Sequence, residues 1–395
     1  MRIAFVTPEY VTESNFDGGL ANYLGRVCPT LARQGHDVVV FVRADCDEVV
    51  DADGVEVRRV TVKPLLGGWL NSGACQQLQT ASLWLGQSWA LYKACAKVNR
   101  ARSFDLIQYA SYTGTGFFRL RKVPSVVRIS SYEPILQDAY GYPETWENRS
   151  RIWIERKALR RADAVFGPSR LVASLVERDI GRPVAVIESP FLLGPGQMDD
   201  RLFRENLAGK KYLLFFGSLS KLKGVHLIAE IIGELLSEHP EINFVFAGKC
   251  FSFNGRPIIE HVRECAGTEK ERVVYLGPLQ HNQLYPVVAN AYAVVLPSLI
   301  DNLPNTCIEA MAFKRVVVAS RGASFEQLID PGVSGFLCNN GSSSSLYSEI
   351  RQVLSLPADR YASVGISAGR RIDELKPERT VRELLAFYRH VRGAD

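Results

Sequence analysis

The stretch AYAVVLPSLIDNLPNTCIEAMAF, residues 291–313, changes character twice. Its first part, Ala293-Val294-Val295-Leu296-Pro297, is an unbroken run of β-formers, as expected of a strand buried on both faces. A turn carrying Asp301 and Asn302 follows. Pro304 then opens a helix-period segment, 306–313. Proline is tolerated near the first helical position because the N–H it lacks has no partner there. The amides of Asn305 and Thr306 are then unpaired helix-start donors, suited to an anion. Asp301 lies in the loop before them and Glu309 about one turn into the helix. Taken singly, Asp301 reads as a cap and Glu309 as a helix-surface acid.

The same grammar recurs along the chain. Strand-like runs at 2–8, 37–43, 105–111, 125–131, 164–169 and 184–190 alternate with helical patterns such as 19–34 and 150–162. A second series, 211–218, 242–249, 272–278, 291–298 and 315–322, begins after the Pro/Gly-rich ESPFLLGPGQM, 188–198. Helix patterns at 224–238 and 306–313 interleave with it. Continuous Val/Ile strands with helices between them predict parallel sheets covered on both faces. The expected organisation is two doubly wound α/β domains, 1–192 and 193–378. Open sheets of this kind take ligands beyond the carboxyl ends of their strands, so two facing sheets would place a cleft between the domains. The amphipathic segment 379–395, after Pro377, is expected to cross back onto the first domain.

The bulk numbers are those of a globular protein: 395 residues, 47% hydrophobic and 23% charged, with net charge +5. The first 195 residues carry 24 Lys+Arg against 20 Asp+Glu, too small an excess for a nucleic-acid partner. Eight cysteines without a Cys-x-x-Cys pair, mostly in apolar runs, read as reduced buried thiols. MRIAFVTPEY is a short strand and lacks the form of a secretory signal, and no run of 18 apolar residues spans a membrane. The six histidines show no ligand spacing, and Asp51-Ala52-Asp53-Gly54 reads as a hairpin turn rather than a metal motif.

Two further segments could meet a phosphate. Gly18-Gly19 stands between the first strand and a helical pattern, where amides and the helix dipole favour an anion. Its glycines are wrongly spaced for the dinucleotide fingerprint, so a plain helix cap is an equal reading. In FFGSLSKLKGVHLI, 215–228, a strand ends at Gly217 and a short loop carries Ser218, Lys221 and Lys223. A lysine there can neutralise phosphate, or both can be solvated. GTGFF, 114–118, reads as a turn.

Taken in order, these pieces resemble the family-4 glycosyltransferases. Asp301 to Glu309 is similar to the family's E-x7-E motif, in its variant with Asp first. GGLANYLGRVCPTLARQGHDV (18–38) resembles its N-terminal Gly-Gly loop and helix, and ERKALRRADAVFGPS (155–169) its end-of-domain helix and strand. GSLSKLKG (217–224) resembles its phosphate loop, and SFEQLIDPGVSGFL (324–337) the segment after the motif helix. The resemblance implies a GT-B fold, two Rossmann-like domains facing a central cleft. It implies a retaining, metal-independent hexosyltransferase that needs no cofactor beyond its nucleotide-sugar donor. It assigns Glu309 to the ribose hydroxyls, Asp301 to a hydroxyl of the transferred sugar, and Lys223 to the diphosphate. Gly18, Gly19, Gly217, Ser218, Leu303, Asn305 and Thr306 complete the nucleotide-sugar set. Ser218 stands where the family usually has Arg. Ser130-Ser131-Tyr132 replaces a common histidine, which leaves Glu9, Tyr132 and Glu133 as the acceptor-side candidates.

The partners expected are a UDP- or GDP-sugar and a glycan or glycolipid acceptor, such as a cell-envelope or exopolysaccharide precursor. The expected location is the cytoplasm, with peripheral contact at the inner face of the plasma membrane. That contact is suggested by the arginine-rich RSRIWIERKALRR (149–161) and the Trp/Leu-rich 64–92. The alternative is a non-catalytic GT-B subunit that partners another transferase, which Ser218 motivates.

Overall fold

The computed structural model describes residues 1–13, 19–65, 78–194, 196 and 198–393. Gly18, the stretch 66–77, residues 195 and 197 of the linker, and the last two residues lie outside the described set. The chain divides into two compact units, Met1–Pro190 with Leu375–Asp395, and Phe191–Glu374.

Unit 1 holds β1 (Arg2–Thr7), α1 (Gly19–Arg33), β2 (Asp37–Ala44), β3 (Glu48–Ala52), β4 (Val55–Thr61), α2 (Gln79–Ala101), β5 (Leu106–Ala110), β6 (Ser125–Arg128), α3 (Glu133–Tyr140), α4 (Trp146–Arg161), β7 (Ala164–Gly167), α5 (Arg170–Ile180) and β8 (Val184–Val186). The sheet order is β3-β4-β2-β1-β5-β6-β7-β8. All pairs are parallel except β3 with β4, a hairpin closed by Asp53 (φ 55°) and Gly54 (φ 78°). Two positive φ values in succession fit a type I′ turn, so this Asp-x-Asp is a turn. β1 and β5 are buried almost throughout, because helices cover both faces of a parallel sheet.

Unit 2 holds α6 (Arg201–Leu207), β9 (Lys211–Phe216), α7 (Val225–Glu238), β10 (Ile242–Ala247), the short hairpin β11 (Ser252–Phe253) with β12 (Arg256–Pro257), α8 (Ile258–Ala266), β13 (Val273–Tyr275), α9 (His281–Asn290), β14 (Ala293–Leu296), α10 (Asn305–Ala312), β15 (Val316–Ser320), β16 (Phe336–Cys338), α11 (Ser343–Leu354) and α12 (Ala358–Asp373). Its six-stranded sheet runs β13-β10-β9-β14-β15-β16. The chain therefore builds outward from β9 on one side, then returns to place β14 on the other. The connections reverse between β9 and β14, and in open α/β sheets ligands bind beyond the strand ends at such a reversal.

After α12 the chain returns to unit 1 with α13 (Pro377–Arg392). Its Val381, Leu384, Leu385 and Tyr388 join the core under α1 and β2. The Tyr388 hydroxyl donates to Gln108 Oε1 at 2.5 Å, and Arg392 pairs with Asp105 at 2.8 Å. One expectation shifts. Pro304 precedes the helix as its cap (φ −72°, ψ 104°), and the first helical residue is Asn305. The Pro304 carbonyl takes the Cys307 and Ile308 amides, so Asn305 and Thr306 remain the donors beyond intrahelical reach.

Candidate functional site

In unit 2, β9 ends at Phe216 and β14 ends at Leu296, and the loops leaving them touch. Gly217 has φ 120°, open only to glycine, and a Cβ there would stand 3.4 Å from the Thr306 methyl. Gly224 is still tighter. At φ 73°, a Cβ would lie 1.8 Å from the Pro297 carbonyl oxygen. The Leu299 amide donates to the Leu222 carbonyl at 2.9 Å and closes the contact. The loop of Ser218 to Lys223 is thereby fixed against the loop of Pro297 to Pro304.

The consequence is an ion pair across 78 residues of sequence. Lys223 Nζ lies 2.5 Å from Asp301 Oδ2, with the side chains 30% and 16% exposed. Asp301 Oδ1 accepts the Asn302 amide, and the Asp301 carbonyl accepts from Ser324 Oγ at 2.8 Å. Leu303 is buried beneath the turn, while Ser218 and Lys221 are exposed. Gly217, Lys223, Asp301, Leu303, Asn305 and Thr306 thus share one neighbourhood. It offers an ammonium, two helix-start amides and a carboxylate that hydroxyls can approach.

Glu309, on α10, is 6% exposed overall. Its Oε1 lies 3.6 Å from Nε2 of His281, the first residue of α9. The His281 ring adjoins Tyr285, which adjoins Phe313. A half-exposed ring shelf therefore borders the carboxylate. Spacing rules did not single out His281. Its only signal was its place at a helix start shortly after a strand, because Glu309 lies 28 positions further along the chain.

In unit 1 the connections reverse between β1 and β5, and Gly19 opens α1. Glu9 Oε1 accepts the Ala21 amide at 3.2 Å, in the first turn of α1. Tyr132 is buried and its hydroxyl donates to the Asp179 carboxylate, which Arg156 also contacts at 2.8 Å. Glu133 pairs with Arg151 at 3.1 Å, and its amide donates to Glu155 Oε2 at 2.7 Å. Glu155 is fully buried, and that burial pushes its carboxyl well above the usual range. Tyr112, at the end of β5, was missed in the sequence. Burial and the charges of Glu9 and Glu133 raise its hydroxyl, against Arg43 and Arg151. Among the described residues, no three His, Cys, Asp or Glu are grouped as a metal ion requires, and no helix is long and apolar enough to cross a membrane.

Known proteins share this fold. Residues 18–188 match a family model described as glycosyl transferase 4-like domain, and residues 210–356 match one described as glycosyl transferases group 1. A D-inositol 3-phosphate glycosyltransferase of Nocardiopsis dassonvillei is 25% identical, over 94% of this chain and 89% of its own. The spore coat protein SA of Bacillus subtilis (27% identical) and an alpha-D-kanosaminyltransferase of Streptomyces kanamyceticus (26%) match 38% and 55% of this chain. Those matches span 41% and 58% of the relatives' own lengths. Sucrose-phosphate synthase from Thermosynechococcus elongatus superposes with TM-score 0.76 at 20% identity, over 100% of both chains. Anabaena HepE in complex with UDP-glucose superposes with TM-score 0.69 at 18% identity, over 98% of this chain and 100% of its own. The chain belongs to the family-4 glycosyltransferases of GT-B fold.

Proposed function

We propose that the protein is a retaining, metal-independent glycosyltransferase. It moves a hexose from a UDP- or GDP-sugar to a lipid-linked glycan or a cell-envelope polysaccharide precursor. The observation that supports this most is the Lys223–Asp301 ion pair, held beside the free amides of Asn305 and Thr306 at the reversal between β9 and β14. A leaving diphosphate gains negative charge as the glycosidic bond breaks, and fixed donors stabilise such charge. Lys223 and the two amides are donors of that kind, so the charge is met without a divalent cation. A diphosphate at Lys223 competes with Asp301 for the ammonium. It releases the Asp301 carboxylate to accept from a sugar hydroxyl. Glu309 accepts two hydrogen bonds from the ribose diol, steadied by His281. Attack comes from the face the diphosphate leaves, and a phosphate oxygen takes the acceptor's proton. The UDP-glucose held by HepE favours a uridine donor among the alternatives.

The test is transfer and donor hydrolysis with UDP-, GDP- and ADP-sugars, beside calorimetry with UDP and GDP. Turnover of one donor with retained anomeric configuration in the presence of EDTA supports the reading. An absence of binding and turnover with every donor removes it. The exposed Ser218, where relatives of this family usually carry Arg, favours one second reading, a nucleotide-binding subunit that serves a partner transferase. Binding without turnover selects it.

A further inference from the structure

Unit 1 carries a continuous aromatic ridge assembled from three separate segments. Trp89 on α2 stacks on Tyr92 at 5.3 Å and meets Phe118 edge-on at 5.2 Å. Phe118 adjoins Phe117, and Phe117 adjoins Trp153 of α4 at 5.3 Å. Trp89 is 39% exposed and Trp153 51%. Large aromatics joined in this way at a surface exceed what scattered exposed residues explain. Cations border the ridge. Lys93 lies over Trp89 at 5.9 Å, Arg161 over Phe117 at 5.3 Å, and the Phe117-Phe118 loop runs on into the exposed Arg121 and Lys122. No carboxylate occurs in α2 or in 117–122, and no ion pair among the described residues engages these four cations.

We propose that this ridge docks the protein on an anionic lipid bilayer, with Trp89 and Trp153 at the headgroup level and Lys93, Arg121, Lys122 and Arg161 on the phosphates. Charge selects the occupant. A neutral glycan or an apolar protein face would leave four desolvated cations unmatched, whereas an anionic interface takes both the rings and the cations. Tryptophan favours that interface because its ring is apolar and its N–H is wet. Docking would bring the enzyme to acceptors that are themselves membrane-bound.

The test is co-sedimentation of the full chain with phosphatidylglycerol/phosphatidylcholine vesicles and with phosphatidylcholine alone. Each cation near such a surface is worth roughly fivefold in partitioning. R121E/K122E changes two exposed residues and should cut binding by about tenfold or more, with unfolding temperature and donor binding unchanged. W89A/W153A should abolish quenching by bromolipids. Binding that is equal on neutral vesicles, or unchanged in R121E/K122E, overturns the proposal. So does a stable dimer in which Trp89 and Trp153 are shielded, or binding competed away by a soluble glycan, because either makes the ridge another kind of interface.

Discussion

Lys223 and Asp301 sit in the loops that leave two adjacent strands and meet at 2.5 Å, although they lie 78 positions apart in the chain. The pair is one-third exposed at most, so its own contribution to stability is modest, about 1 kcal/mol or less. Its expected importance lies in exchange of one anion for another. Lys223→Met should lower kcat/KM by about a hundredfold or more, the cost of removing a charge-stabilising donor, and shift the unfolding temperature only slightly. Steady-state kinetics and calorimetry on the same sample check this. Unchanged UDP affinity in Lys223→Met would detach the loop from the diphosphate.

The loop itself depends on a backbone contact. Gly224→Ala places a methyl 1.8 Å from the Pro297 oxygen at a positive φ. The left-handed conformation alone costs about 1–2 kcal/mol, and the clash is with backbone, which cannot rotate away. Thermal unfolding should show a loss of several degrees, and any folded fraction should bind nucleotide more weakly because Lys223 is displaced. Gly209→Ala, with φ 76° but open space around it, isolates the conformational part and should cost less.

Glu309 and His281 give a paired prediction. Glu309→Gln keeps the shape but weakens the acceptor, and should reduce UDP affinity by about tenfold, near the value of one charge-assisted hydrogen bond. His281→Ala should reproduce part of that loss. The double variant should fall short of the sum, since the two side chains act as one unit at 3.6 Å. Full additivity in a calorimetric double-mutant cycle would show that His281 does not position Glu309.

Much of this was legible in the sequence, for identifiable reasons. Period and composition carried the strands, because a strand buried on both faces needs an apolar side chain at nearly every position, as β14 and β15 have. Spacing placed Asp301 in the loop and Glu309 in the helix after it, because a strand–loop–helix unit fixes where its loop and first turn lie; the roles of the two acids came from the resemblance alone. What depended on packing was hidden. His281 reaches Glu309 only through the meeting of α9 and α10, and GTGFF, read as a turn, supplies two rings of a surface ridge through contacts with α2 and α4. The Glu9, Tyr132 and Glu133 candidates proved to have partners inside unit 1, which a linear pattern does not reveal.

Glu155 predicts a pH effect on stability. Burial pushes its carboxyl well above the ordinary value of 4.5 in the fold, while the unfolded chain ionises it near that value. The folded state therefore binds the extra proton, and this group subtracts stability as pH rises from about 4.5 to its folded value. Glu155→Gln keeps an oxygen for the Glu133 amide and cannot ionise. Its stability relative to the parent should be least favourable near pH 4 and should improve by up to about 1.4 kcal/mol per pH unit above that. Urea titrations at pH 5 and pH 8 decide it. An equal difference at both would place the buried proton elsewhere.

The return of α13 to unit 1 makes Phe191–Glu374 an insertion within the other fold. During synthesis the inserted unit is complete before Tyr388 exists, whereas the surface that will receive Val381, Leu384 and Leu385 stands bare until the end. Unit 1 therefore completes its core only after the inserted unit has emerged, and the α1–β2 face is where a chaperone would be needed longest.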